Sequence, residues 1–319
     1  MSTSFYRLTF TLFAADEGRS VEDFMRWAFP NADEVTLALR AQTLLLNGEP
    51  YDQCNLPGTG LLSVALPGHE EDPVQTDWCV IWERHDLMVV AKPPELPVSR
   101  TTRNLFETLI SHIRRHSPWR DARLLHRLDT ETSGLILIAR YEAADKRWKK
   151  RLERLLVSKE YVAQVSGQPD WQSLDVTLPL SERTDSEIRT KMYPVDDRAD
   201  PAYKSIKECH TRFTRLESLG GRTLVRCELF SGRKHQIRAH LSAIGCPIVG
   251  DKIYSCDGYY YLKRLGQPLE TADLEVLGAP WQQLVAARLA LQLPDGLVEV
   301  SLPRMLLHRY LRLPSEYGS

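Results

Sequence analysis

The chain has 319 residues, of which 43% are hydrophobic and 26% charged, and its formal net charge is −1. This composition is typical of a soluble globular protein with one large and one small domain. It excludes a globally basic polyanion-binding protein, so any nucleic-acid contact must come from local patches. The cysteines are scattered without a CxxC pair or a Cys/His cluster, which argues against a structural metal site.

The sequence has neither a signal-peptide pattern nor a run of the ~20 apolar residues that a membrane-spanning helix needs. Scattered cysteines suit a reducing compartment. We therefore expect a cytoplasmic protein that makes no membrane contact and is a monomer by default.

Residues 1–67 are predicted to form a small αα-ββ domain. Helical spacing of apolar residues predicts helices at 21–28 and around 37–41. Residues 43–50 read as a strand that ends in an Asn-Gly turn, and 61–66 read as its return strand. Residues 68–77 are polar and acidic without periodicity, which predicts a linker to a second domain at 78–319.

Strands outnumber helices in the second domain. A capping box of Asn104 and Glu107 predicts a helix over 105–113. The other expected helices lie at 148–156 and 233–244, and the expected strands lie at 79–82, 87–91, 135–139, 161–165, 213–216, 225–229 and within a closing hairpin at 284–302. This pattern favours an α+β fold with a mixed, largely antiparallel sheet. The segment 255–280 shows no clear pattern.

A dense group of polar side chains interrupts two apolar runs at 124–139. His126, Arg127, Asp129 and Glu131 lie in what reads as a loop between two strands. Such a density suits a functional site on a rigid scaffold. A turn with an Asx-type bond from Asp129 and a structural Arg127–Glu131 pair explains the same residues.

A second polar group occupies 231–241, at the start of a predicted helix. Helical geometry turns Arg238 towards the edge of the core, where a guanidinium needs a carboxylate partner, and Asp129 is a candidate. Alternatively, Arg238 and His235 lie at the helix surface. His235 and His240 are five residues apart, and no HExxH glutamate is present, so a metalloenzyme is rejected.

These residues resemble the signature of the RluA-type family of RNA pseudouridine synthases. His126-Arg127-Leu128-Asp129 followed by Thr132-Ser133-Gly134 is similar to the family's central motif. Further similar segments, in the family's order, are Lys92-Pro93, 159–163, 232–240 and 250–254. The resemblance covers roughly 78–302 and implies the pseudouridine synthase type of fold.

The resemblance implies that a uridine in rRNA or tRNA is isomerised to pseudouridine without a cofactor or metal. Asp129 would be the catalytic aspartate, with Arg238 favouring its charged form and Tyr161 stacking on the base. Arg127 would contact RNA as the uridine flips out of its stack. The other expected RNA contacts are Lys92, His126, Lys159, Arg233 and His235.

The N-terminal domain resembles, more weakly, the S4-type RNA-binding domain. Its helical stretch has Asp33, Glu34 and only Arg40 nearby, so it reads as a degenerate version or a small packing domain. The basic stretch 146–154 reads either as an RNA contact or, preferably, as a solvated helix face. Two other activities are open, namely a catalytically silent RNA-binding or assembly factor and a small-molecule glycosidase.

Overall fold

Two main β-sheets organise residues 6–313, the part of the chain that this computed structural model describes. The smaller sheet has four strands in the order β1-β4-β2-β3. Its elements are β1 (Tyr6–Leu12), α1 (Val21–Ala28), α2 (Glu34–Ala41), β2 (Leu45–Leu46), β3 (Glu49–Pro50) and β4 (Gly60–Leu66). The predicted helices and the Asn47-Gly48 turn are present. The sequence reading missed β1, which pairs with the whole of β4.

The larger sheet has ten strands and is flanked by helices. The elements after β4 are β5 (Cys79–Arg84), β6 (Leu87–Lys92), α3 (Leu109–His116), β7 (Arg123–Leu124), β8 (Ser133–Ala139), α4 (Glu142–Lys149), α5 (Leu152–Leu155), β9 (Leu156–Ser166), β10 (Ser173–Val176), β11 (Leu180–Ser181), β12 (Tyr193–Pro194), β13 (Thr211–Leu219), β14 (Arg222–Leu229), α6 (Gln236–Ala243), α7 (Tyr259–Gly266), α8 (Thr271–Leu277), β15 (Leu284–Leu293), β16 (Gly296–Ser301) and α9 (Arg304–Tyr310). Strands β11 and β12 form a separate ribbon.

The main path of this sheet runs β10-β13-β14-β9-β15-β8-β6-β5, with β16 paired to β15 and β7 paired to β8. Among the described strands, only β15 and β8 pair in parallel. The prediction of a mixed, largely antiparallel sheet is therefore confirmed.

Both faces of the sheet are buried at the central strands β6 and β8, which explains the continuous apolar run of β8. Alternate residues of a strand point to opposite faces. In β6, Met88 and Val90 join the core beneath α3 and α6, while Leu87 and Val89 join the core beneath α5 and α9.

Gly134 allows β8 to lie against β15 where the polar loop enters the sheet. Its φ is +99°, and a Cβ atom there would lie 2.3 Å from the carbonyl oxygen of Ala286. Only glycine accepts both this conformation and this approach without displacing a strand.

Two helix predictions are wrong in detail. The capping box does not form: α3 begins at Leu109 behind Thr108, while Asn104 Nδ2 donates to the carbonyl of Asp72 and Glu107 pairs with Arg115. The predicted helix at 148–156 is instead α4 followed by the short α5, and β9 begins at once at Leu156.

Helix α3 contacts the N-terminal sheet through buried polar side chains. Arg115 Nη1 donates to the carbonyl of Thr9 over 3.0 Å, and Tyr6 donates its hydroxyl to Glu107. Arg120 pairs with Asp16 over 2.5 Å. The predicted linker also makes contacts, since the Glu71 carboxylate accepts three backbone N–H groups from 105–107 over 2.5–3.0 Å.

Candidate active site

A cleft of about 820 Å³ opens where the loop between β7 and β8 meets the start of α6. The two polar groups of the sequence therefore lie on facing walls. The lining includes the predicted residues Asp129, Tyr161, Arg238, His126, Arg127, Lys159, Arg233 and His235. Lys92 is absent from this lining.

Arg238 joins two carboxylates beneath the cleft. Its Nη1 donates to Asp129 Oδ2 over 2.8 Å, while Nε and Nη2 donate to the two oxygens of Asp251 over 2.7 and 2.9 Å. Asp251 Oδ1 also accepts the backbone N–H groups of Ile253 and Tyr254. The buried guanidinium thus has the carboxylate partner that its burial requires.

Asp129 is held in its charged form. Burial raises the pKa of its carboxyl, but the adjacent Arg238 guanidinium outweighs burial and holds that pKa below its ordinary value. Its side chain keeps about a third of its surface accessible (33%), so a ligand in the cleft can reach it. An ionised carboxylate that is both oriented and accessible can act as a nucleophile or a base.

Tyr161 brings an aromatic ring into the same cleft from β9, where it lies opposite Cys227 of β14 and Ala286 of β15. Burial, and then the charge of Asp129, raise the pKa of its hydroxyl, so the phenol is neutral near pH 7. The structure therefore brings Asp129, Tyr161 and Arg238 together.

His235 lies between Asp129 and Tyr254. Its Nε2 is 3.7 Å from Asp129 Oδ2, and its Nδ1 is 3.2 Å from the Tyr254 hydroxyl. Burial, followed by the neighbouring Arg238, lowers the pKa of His235 to about 4, so the imidazole is neutral near pH 7. It can contact a ligand as a hydrogen-bonding group but carries no charge for a phosphate.

The prediction that Lys92 contacts RNA is wrong for this structure. Its side chain is 0% exposed, and its Nζ donates to the carbonyls of Pro93, Leu96 and Thr130 over 2.8–2.9 Å. The bond to Thr130 holds the loop directly after Asp129. A lysine beside proline reads as a surface residue in the sequence, but the fold surrounds this one with backbone oxygens.

Several further bonds hold the Asp129 loop. The Leu137 N–H donates to His126 Nε2 over 3.0 Å, and burial lowers the pKa of His126 to about 4. This bond gives His126 a role in holding the loop, and its RNA contact stays a prediction. The Thr132 N–H donates to the carbonyl of Asp129 over 3.2 Å.

Glu131 ties this loop to segments far away in the sequence, a role that the sequence reading missed. Its carboxylate accepts from Lys252 Nζ over 2.9 Å, Arg264 Nη1 over 2.7 Å and the Gln282 N–H over 3.1 Å. The proposed Arg127–Glu131 pair does not form. Asp251 was also given no role, although its segment was among those that resembled the family.

Three cations of the cleft have no side-chain partner among the described residues. Arg127, Lys159 and Arg233 form no side-chain hydrogen bond or ion pair with other residues of 6–313. Lys159 Nζ lies against Gly232, since a Cβ atom added to Gly232 would be 2.7 Å from this nitrogen. Uncompensated cations beside an aspartate suit a polyanionic ligand.

The described residues contain no group of three or more His, Cys, Asp or Glu side chains that could hold a metal ion. No helix within 6–313 combines the length and the apolar character needed to cross a membrane.

Comparisons with known proteins identify the family of the chain. A family model described as RNA pseudouridylate synthase matches residues 86–243. The human pseudouridylate synthase RPUSD2 is 32% identical over 264 residues, which cover 82% of this chain and 46% of the human protein. The dual-specificity RNA pseudouridine synthase RluA of Escherichia coli is 32% identical over 187 residues, which cover 58% of this chain and 80% of that protein.

A solved structure of human RNA pseudouridylate synthase domain containing 1 has a TM-score of 0.56 at 22% identity, and it covers 75% of this chain and 89% of that one. This likeness confirms the predicted fold type. The chain spans less than half the length of its human and mouse RPUSD2 relatives.

Proposed function

Since the chain belongs to the RluA-type family of RNA pseudouridine synthases, we propose that it isomerises specific uridines in RNA to pseudouridine. The observation that carries this proposal is the accessible, ionised Asp129, which is fixed by Arg238 in the cleft that Tyr161 also lines. The proposal needs no cofactor.

The reaction breaks the N1–C1′ bond of uridine and forms a C5–C1′ bond, so the atoms of the nucleotide are conserved. Asp129 either attacks C1′ or removes the C2′ proton, and both routes need the charged carboxylate that Arg238 stabilises. After the uracil rotates and rejoins, C5 loses its proton and N1 gains one. Tyr161 stacks on the base and, as a neutral phenol, assists this proton transfer.

The target base must leave its stack to reach Asp129. The unpaired cations Arg127, Lys159 and Arg233 support RNA binding, because phosphates would supply their missing partners. Three cations of α4 already have acidic partners, in the pairs Lys146–Glu142, Arg147–Asp86 and Lys149–Asp145. We propose the cleft as the RNA-binding surface, because its unpaired cations lie beside Asp129.

The test is an Asp129→Asn variant assayed on transcribed rRNA and tRNA. We expect pseudouridine formation to fall by at least about a thousandfold, because the amide can neither attack nor accept a proton. The unfolding free energy and RNA affinity should change little, since the side chain keeps its shape at a partly accessible position and Arg238 keeps its two hydrogen bonds to Asp251.

The matched control is Asp295→Asn, which neutralises an exposed carboxylate paired with Arg84 on the surface. It should keep the wild-type rate. Pseudouridine formation by Asp129→Asn at the rate of the Asp295→Asn control would contradict the catalytic role of Asp129. A wild-type protein that binds RNA without forming pseudouridine would favour the silent RNA-binding factor instead.

Mapping pseudouridines in cells that lack the protein would identify the RNA, which we propose to be rRNA or tRNA. We also propose that residues 1–67 are a degenerate S4-like domain, 68–77 a linker and 78–319 the catalytic domain. The two helices beside the β1–β4 sheet support the first assignment. The six unbridged cysteines support a cytoplasmic location, and light scattering would test the proposed monomer.

A further inference from the structure

We propose that Phe230 is a stacking platform for an unpaired RNA base outside the catalytic cleft. The inference rests on the proposed function, because its ligand is the RNA strand that enters the cleft. Phe230 follows β14, and 56% of its surface is exposed, whereas a ring of this size is usually buried.

The ring belongs to an ordered stack. The rings of His210 and Phe230 are parallel within 20°, with centroids 4.3 Å apart. The Arg212 guanidinium lies 5.3 Å from the Phe230 ring centroid. An exposed aromatic ring with a cation beside it is the arrangement on which proteins stack unpaired bases.

The backbone beneath the stack is fixed. The Phe230 N–H donates to the carbonyl of His210 over 3.1 Å, and the His210 N–H donates to Ser231 Oγ over 2.9 Å. Gln236 Nε2 donates to the same His210 carbonyl over 3.0 Å. The carboxylate of Asp175 holds both His210 and Arg212 from the side. A platform held in this way loses little conformational entropy when a base binds.

Its place in the chain links the platform to the cleft. Phe230 lies between two residues that line the cleft, Leu229 and Gly232, and Arg233 follows with its guanidinium unpaired. A strand whose phosphate contacts Arg233 would bring a neighbouring base within reach of Phe230. The occupant that fits this pairing of ring and cation is single-stranded RNA.

The test measures RNA affinity directly. A fluorescent 12-nucleotide single-stranded oligoribonucleotide of uridine and adenosine is titrated with wild type, Phe230→Ala and Phe230→Tyr, beside a duplex RNA of the same length. Phe230→Ala should weaken single-strand binding about tenfold to a hundredfold, since this is the usual effect of losing one stacked base. Duplex binding should change less than about twofold, and Phe230→Tyr should bind like wild type.

The matched control is Leu297→Ala, which truncates an apolar side chain that is also 56% exposed. It should leave both affinities unchanged. Raising the salt concentration should weaken wild type and Phe230→Ala in parallel, whereas Arg233→Gln should flatten the salt dependence, because only the latter removes a phosphate contact.

Single-strand affinity of Phe230→Ala within about twofold of wild type would overturn the platform. Equal losses on single-stranded and duplex RNA, or an equal loss in Leu297→Ala or Phe230→Tyr, would also overturn it. Because affinity is read without turnover, a wild-type protein that forms no pseudouridine would refute the proposed function and still leave the platform measurable.

Discussion

Arg238 can bind two carboxylates at once because a guanidinium presents five N–H donors in a fixed plane. One edge of that plane binds Asp251 with two hydrogen bonds, and the remaining nitrogen binds Asp129. Asp251 therefore sets the direction of the guanidinium that keeps Asp129 charged. In the proposed reaction, Asp251 is thus a positioning residue for Asp129.

An Asp251→Asn variant tests this arrangement. Removing one charge of a buried pair leaves Arg238 undercompensated, so we expect the free energy of unfolding to fall by about 3 kcal/mol. The loss of the Asp251 charge by itself lowers the pKa of Asp129, but Arg238 has the larger influence on that pKa. The pKa that governs the single-turnover rate should therefore rise, because a displaced guanidinium stabilises the Asp129 carboxylate less. Urea unfolding and a pH–rate profile measure the two effects.

The control for Asp251→Asn is Asp295→Asn, whose exposed pair with Arg84 should contribute less than about 1 kcal/mol. An unchanged pH–rate profile in Asp251→Asn would contradict the positioning role, even if stability fell.

At the scale of single residues, contacts that follow from side-chain chemistry could be predicted, whereas contacts with residues distant in the sequence were missed. A guanidinium at the core edge required a carboxylate, and Asp129 is indeed its partner. The second partner, Asp251, could not be derived from helix geometry, since the turn that brings it to Arg238 follows α6. Lys92 was wrong for a related reason, because one of its carbonyl partners, Thr130, lies in a loop that is distant in the sequence and that only the fold brings to it.

At the scale of elements, the hairpins were predicted because alternation and turn residues are local signals. The region 255–280 was left unassigned, yet it holds α7 and α8, and the α7 residues Tyr261 and Arg264 line the cleft. The capping box at Asn104 failed because Glu71, more than thirty residues earlier, accepts the Glu107 N–H, and Thr101 Oγ1 accepts the Asn104 N–H. A local sequence pattern cannot indicate that a distant residue such as Glu71 will accept these hydrogen bonds.

A Glu71→Ala variant tests whether the hydrogen bonds to Glu71 stabilise the protein. It would leave three backbone N–H groups without their acceptor, so we expect the free energy of unfolding to fall by about 3 kcal/mol. Thermal and urea unfolding measure this loss. Glu70→Ala is the matched control, since Glu70 is the exposed neighbour and should cost less than about 0.5 kcal/mol. Equal stabilities of the two variants would show that the Glu71 contacts contribute nothing.

At the scale of the whole molecule, buried imidazoles make stability depend on pH. Burial lowers the pKa of His116, His126 and His235 to about 4 each. In the unfolded chain their pKa is about 6.5, so below that pH the unfolded state binds protons that the folded state does not. Acid therefore favours unfolding.

We expect the free energy of unfolding to fall as the pH is lowered from about 6.5 towards 4, by at most about 1.4 kcal/mol per pH unit for each histidine. Urea unfolding at pH 7.5, 6 and 5 measures the slope. His116→Gln, remote from the cleft in α3, should make the slope shallower without affecting the reaction. Equal stability at pH 7.5 and 5 would contradict the prediction.

The order of the strands also determines when the cleft can exist during translation. Asp129 precedes β8 and Tyr161 lies in β9, but β15 is inserted between these two strands and begins only at Leu284. A nascent chain therefore carries Asp129 and Tyr161 long before the strand that joins β8 to β9 has left the ribosome. Until residue 293 has emerged, β15 cannot complete the sheet beneath the cleft, so the arrangement of these two side chains forms only near the end of synthesis.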